Sequence, residues 1–114
     1  MGTNAQTSAA GITGALALLT LPALDQLTER QGRGIACVWD GVPLRTEIAV
    51  DLGSREAARA GEPVTWYPRA CRRCTHTAAY AQLCVHAVSD ECPKGIDRCA
   101  TCRGFLRVMR EYRR

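Results

Sequence analysis

Aromatic side chains are scarce in this sequence of 114 residues: Trp39, Trp66, Tyr67, Tyr80, Phe105 and Tyr112 are all it has. Histidine is scarcer still, with only His76 and His86. Each shortage excludes something. A chain this short folds as one domain, and a core with so few large apolar groups needs a staple. Two histidines leave no H-E-x-x-H, no H-x-E paired with P-C-x-x-C, and no legible Ser/His/acid set. The chain is therefore not expected to be an enzyme; only an open metal site at Asp40 would offer catalysis a foothold. Long apolar runs are missing too. Gly11–Leu24 resembles a signal core, but no Lys or Arg precedes it, no A-x-A site follows, and it is too short to span a bilayer. A cytoplasmic protein with no membrane partner is the expectation.

What the chain does have is cysteine, at positions 37, 71, 74, 84, 92, 99 and 102. An odd count argues against a purely disulfide framework, and in a reducing compartment clustered cysteines more often bind metal. Two C-x-x-C pairs stand out, Cys71-Arg-Arg-Cys74 and Cys99-Ala-Thr-Cys102. Each falls where a helix start is expected. Two intervening residues let both sulfurs converge on one ion, and a helix N-terminus stabilises thiolate charge. Tetrahedral zinc then needs two more ligands. Structural zinc contributes about 10–16 kcal/mol to folding in small peptides, enough to hold a domain of this size together.

The rest of the pattern supplies the scaffold. Residues 1–21 are rich in Gly, Ala and Thr and carry no charged side chain; they are expected to be a mobile tail, or at best a loosely formed helix. A single zinc-binding domain is expected over 22–114. Pro22, Leu24 and Leu27 suggest a short helix over 22–31, ended by Gly32-Arg33-Gly34. Ile35–Trp39 is rich in strand formers. Thr46–Leu52 alternates, with Ile48, Val50 and Leu52 on one side, which predicts a half-buried strand. Val64–Tyr67 predicts its partner, and Gly53–Pro63 the loop of the hairpin. Knuckle and hairpin together occupy 35–74. A helix is expected over 71–88, a turn region over 89–97, and a last helix over 98–112 with Phe105, Val108, Met109 and Tyr112 as its apolar stripe.

The order of these parts is informative. Residues 37–41 read CVWDG, where a zinc knuckle has C-x-x-C-G. A knuckle, a hairpin over 46–67 and a helix opening with Cys71 and Cys74 resemble the treble-clef zinc finger family. Cys37, Cys71 and Cys74 fall on that family's ligand positions; Asp40 stands where the second knuckle cysteine should be. The resemblance implies a small α+β, zinc-stabilised domain with a treble-clef-like first site. The wider texture, CVWDGVPL, AVDLG, WYPRACRRC and RGFLRVMRE, is similar to small cysteine-rich actinomycete proteins of undefined function, and implies metal binding. Asp40 leaves three readings open. Its carboxylate can be the fourth ligand, or a water can take that place, or Asp40 only caps the turn through Asp-Gly chemistry.

A second site is expected near the C terminus from Cys92, Cys99, Cys102 and either His86 or Cys84. Residues two apart cannot share a helix face, so only one of the latter pair can serve. His86 is preferred, since a cysteine at 84 can be a small buried hydrophobe. His76 is expected to face solvent. Two zinc ions are expected in all.

Charge is distributed unevenly. Residues 1–68 hold five Arg and seven acids, a net −2, whereas residues 69–114 hold nine Arg, one Lys and four acids, a net +6. Arg69, Arg72 and Arg73 flank the first C-x-x-C, and Arg103, Arg107 and Arg110 recur along one side of the last helix. Planar guanidinium groups suit phosphate and carboxylate. The expected function is a zinc-binding interaction or regulatory module that meets nucleic acid or an acidic protein surface. The alternative is a thiol-based redox or metal sensor that releases zinc on oxidation.

Overall fold

The computed structural model describes residues 11–89, 92 and 98–113. They form a small mixed α+β chain with four α-helices and two two-stranded antiparallel sheets. The helices are α1 (Ile12–Ala17), α2 (Glu29–Gly32), α3 (Arg72–Ala87) and α4 (Ala100–Glu111). The strands are β1 (Val50–Asp51), β2 (Arg55–Arg59), β3 (Glu62–Trp66) and β4 (Arg69–Ala70). The described residues fall into two compact units, one within 20–74 and one from 11–19 together with the described residues of 75–113. No helix among the described residues is long and apolar enough to cross a membrane.

In the unit of residues 20–74, the helix expected over 22–31 is broken. Leu24–Gln26 form a 3-10 turn, Thr28 is extended, and α2 starts afresh. The reason is a capping box. The Gln31 N–H donates to Thr28 Oγ1 at 3.2 Å and the Thr28 N–H donates to Gln31 Oε1 at 2.9 Å, so an N-terminus forms in mid-segment. Ile35–Trp39 makes only an isolated bridge, Ala36 to Pro43.

The hairpin also differs from expectation. Residues 45–49 turn rather than extend, since the Ile48 and Ala49 N–H groups both donate to the Arg45 carbonyl. Ile48 is 56 % exposed, while Val50 and Leu52 are buried. β1 pairs with β4, Val50 opposite Ala70. The expected loop over 53–63 instead contributes a strand: β2 pairs with β3, from Arg55 opposite Trp66 to Arg59 opposite Glu62. The tip is Ala60-Gly61, both with positive φ, as a two-residue hairpin turn requires. Alanine rarely takes that conformation, so the sequence carried no visible turn signal there.

The core of this unit is Leu24, Ala36, Cys37, Val38, Val50, Leu52, Trp66 and Ala70. Gly34 marks a close approach of two backbone segments outside that core. Its φ is +81°, and a Cβ there would lie 2.8 Å from the Tyr67 carbonyl oxygen.

In the other unit, α1 packs against α4. The expected tail is therefore helical from residue 12, with Ala15, Leu16 and Leu19 buried; residues 1–10 lie outside the described residues. Gly and Thr weaken helix formation in this stretch while Ala and Leu favour it, and burial of Ala15, Leu16 and Leu19 adds to that. The Gln82 side chain adds a hydrogen bond to the Leu18 carbonyl at 3.0 Å. Along α4, Cys102, Gly104, Phe105 and Val108 are buried, whereas Met109 and Tyr112 are half-buried. Of the expected turn over 89–97, only Ser89 and Cys92 lie within the described residues, and the Cys92 N–H donates to the Ser89 carbonyl.

Gly34→Ala tests the close approach. Backbone strain at positive φ and the Tyr67 contact are expected to cost about 1–3 kcal/mol, read as a lower urea midpoint with unchanged slope.

Candidate metal centres

Both C-x-x-C pairs straddle a helix start in the same way. Cys71 immediately precedes α3 and Cys74 is its third residue; Cys99 is the N-cap of α4 and Cys102 its third residue. This register lets a backbone N–H of the first turn point at the first sulfur, as the Cys74 N–H does toward Cys71 Sγ at 3.4 Å. All seven cysteines are thiols.

The first centre gathers Cys37, Asp40, Cys71 and Cys74, whose ligand atoms all lie within 4.8 Å of one another. Cys37 and Asp40 come from a tight turn. The Gly41 N–H donates to the Cys37 carbonyl at 2.9 Å, and the Cys37 N–H to the Val42 carbonyl at 2.8 Å. Gly41 has φ +77°, which makes glycine the fitting residue to close it.

The geometry joins a turn cap and an approach to the thiols in the one Asp40 side chain. Oδ1 accepts from the Val42 N–H at 3.1 Å, so it caps the turn. Oδ2 faces the thiols of Cys74 at 3.3 Å and Cys71 at 3.9 Å. One oxygen holds the turn and the other faces the sulfurs. Arg73 Nη2 lies 4.0 Å from that same Oδ2. Burial pushes the Asp40 carboxyl up, but the Val42 N–H, the thiols of Cys37 and Cys74 and the Arg73 charge together hold it below its usual range. It is therefore ionised at neutral pH. Burial raises the thiols of Cys37 and Cys74, and Cys71 and Asp40 raise Cys74 further. A cation held at this point would favour the thiolates and offset that burial as the thiols lose their protons.

The turn has a support that the sequence reading passed over. Gln31 Nε2 donates to the carbonyls of Cys37 at 3.0 Å and Val38 at 3.3 Å. The same side chain closes the capping box through Oε1. The signal was present as Thr28-x-x-Gln31, the S/T-x-x-E/Q pattern of a helix start.

The second centre gathers His86, Cys92, Cys99 and Cys102, again within 4.8 Å of one another. His86 Nε2 lies 3.4 Å from Cys99 Sγ, and Cys92 Sγ lies 3.5 Å from Cys102 Sγ. Cys99 and Cys102 are buried. The Cys102 backbone N–H, with His86 and Cys92, outweighs burial and lowers the Cys99 thiol to about 6. Burial and the neighbouring sulfurs of Cys92 and Cys99 raise Cys102 to about 12. The set thus offers an imidazole and three sulfurs, with Cys99 the sulfur whose ionisation is favoured.

Cys84 is elsewhere. It is exposed on α3 and hydrogen-bonds Tyr80 one turn away. Two residues of helix rotate by about 200°, which carries Cys84 away when His86 turns toward the cluster. His76 belongs to neither group among the described residues. Arg73 is exposed, Arg69 and Arg72 are half-buried, and Arg103, Arg107 and Arg110 are exposed along α4.

Donor chemistry sets what these centres can do. Each could hold one metal ion, the second through sulfur and imidazole, the first through sulfur and one carboxylate oxygen. No family model, curated protein or solved structure matches the chain.

Exchanging the two candidates on α3 separates them. His86→Ala is expected to lower bound metal by one ion per chain, while Cys84→Ser leaves the content unchanged, both read by elemental analysis of the folded protein.

Proposed function

We propose that the chain is a metal-stabilised interaction module rather than an enzyme, with one zinc ion in each centre and a treble-clef-like first site. One observation carries this reading: two separate quartets of ligand atoms converge, each built from a C-x-x-C across a helix start and two upstream donors. Sulfur and imidazole donors favour zinc over harder cations. Tetrahedral zinc with bonds of about 2.3 Å places sulfurs about 3.8 Å apart, close to the spacing of these groups. The treble-clef comparison is supported by the order of turn, paired strands and helix, with Asp40 standing in for a thiolate. When bound, zinc supplies cross-linking of the turn to α3 and of α3 to α4.

The anionic partner is nucleic acid or an acidic protein surface. Support comes from α4, where Arg103, Arg107 and Arg110 are exposed on a helix that buries Cys102, Phe105 and Val108. Arg73 has a further role beside Asp40, where its charge favours the ionised carboxylate. A second reading, a redox sensor, draws on Cys99, whose thiol is lowered to about 6 beside His86; Cys99 is buried, so oxidation would require the centre to open first.

Native mass spectrometry with metal analysis tests the core of the proposal. The parent should carry two zinc ions and Asp40→Ala one, or a weakly held second; unchanged occupancy removes Asp40 from the ligand set. A chain that stays cooperatively folded after exhaustive chelation overturns the scaffold reading. For the partner, Arg103→Ala/Arg107→Ala/Arg110→Ala should abolish binding to a nucleic-acid duplex. Parent affinity should fall by about 10–100-fold between low and moderate salt if roughly three phosphates are engaged. Binding insensitive to both would exclude phosphate recognition.

A further inference from the structure

The two centres differ in how firmly their donors are fixed around the metal position. The first lies wholly within the unit of residues 20–74 and the second wholly among the residues of 75–113, so they share no donor. In the second, all four donors are sulfur or imidazole, and Cys99 and Cys102 are 8 % and 0 % exposed. In the first, Cys37 is buried, Cys71 and Cys74 are half-buried, and Asp40 is exposed. A carboxylate oxygen is the hardest donor in either set and the poorest match to an ion that favours sulfur and imidazole. Asp40 has one oxygen to offer, since Oδ1 already accepts from the Val42 N–H at 3.1 Å. Oδ2 lies 3.3 Å from Cys74 Sγ and 4.0 Å from Arg73 Nη2. The Arg73 side chain is 83 % exposed, so the guanidinium can follow the carboxylate. Its charge repels a cation placed among the sulfurs, and its N–H groups attract the oxygen such a cation would use.

We propose that the first centre exchanges its zinc ion with competing sulfur or nitrogen ligands, with Asp40 as the ligand that leaves first, while the second centre retains its ion. This rests on the two-centre reading above and divides the work between the centres: exchange at the first, scaffolding at the second. Asp40 Oδ2 passes from the ion to Arg73, and a donor atom of the competing ligand takes the vacated position. The carboxylate stays ionised beside the guanidinium, so this step transfers no proton and no electron. Departure of Oδ2 leaves the turn in place. Oδ1 keeps its bond to Val42, Gln31 Nε2 holds the carbonyls of Cys37 at 3.0 Å and Val38 at 3.3 Å, and the Gly41 N–H holds the Cys37 carbonyl at 2.9 Å. None of these bonds uses Oδ2 or a sulfur, so the emptied centre stays assembled to take up another ion. The second centre is built otherwise. His86 stands near the end of α3, and Cys99 and Cys102 at the start of α4. An ion there joins the two helices, and its departure would release them from each other.

Stopped-flow mixing of the zinc-loaded full chain with excess 4-(2-pyridylazo)resorcinol, a chromogenic chelator, tests this at neutral pH. The parent is expected to release its zinc in two phases of one ion each, with the far-ultraviolet circular dichroism unchanged through the first and falling only in the second. Arg73→Ala leaves every donor in place and should slow the fast phase by about two- to fivefold. Asp40→Cys should slow it by roughly tenfold or more. Neither should alter the slow phase. His86→Ala, left with one ion, should show the fast phase alone. A parent that starts with two ions and loses both in one phase overturns the proposal and leaves the two-centre reading standing. So does a fast phase that Asp40→Cys leaves unchanged or that His86→Ala removes. A fast phase slowed by Asp40→Cys and indifferent to Arg73→Ala overturns the part assigned to Arg73. A parent that starts with fewer than two ions overturns the two-centre reading itself, and the division of work with it.

Discussion

Two residues between cysteines, with the first just outside a helix and the second in its first turn, is the constraint on which both centres rest. The register brings two sulfurs to one point and aims backbone N–H groups at the first of them. The helix then needs only two donors from upstream to close the set. α3 takes a cysteine and a carboxylate from the turn over 37–41. α4 takes the imidazole of His86 and the sulfur of Cys92. The solutions differ in hardness because the upstream donors differ, while the C-x-x-C part is the same.

Asp40 shows how one side chain can hold two roles. A carboxylate has two oxygens with separate directions, and here one accepts from the Val42 N–H while the other faces sulfur. A cysteine at this position would offer a single atom to both tasks. The Asp40 carboxylate is kept ionised chiefly by hydrogen bonds, with the Arg73 charge a further contribution.

The two C-x-x-C pairs stood out by their spacing, and Cys37, Asp40, His86 and Cys92, which the structure gathers near them, were candidates because such residue types are rare in the chain. The long helices were visible for a similar reason: α3 and α4 fall within a residue or two of the periodic segments. The strands were not. Arg55–Arg59 is polar on both sides and turns at Ala60-Gly61, so neither alternation nor turn chemistry announced it. Ile48 kept the alternation of a strand while the backbone turned beneath it. Residues 12–19 looked like a tail because composition cannot report a packing partner some ninety residues away; α1 is helical against α4. Gln31 went unnoticed because its contacts to the turn carbonyls are tertiary, although its cap was local.

Those contacts have a further consequence. The first centre joins residues 31 and 34 positions apart, Asp40 to Cys71 and Asp40 to Cys74, and drawing together the ends of such a segment costs chain entropy. Gln31 fixes the upstream half through bonds six and seven residues in span, and β1 with β4 brings the downstream half alongside. An ion held there would meet donors already assembled by ordinary hydrogen bonding, so more of its binding free energy would be retained as affinity and less consumed in ordering the polypeptide.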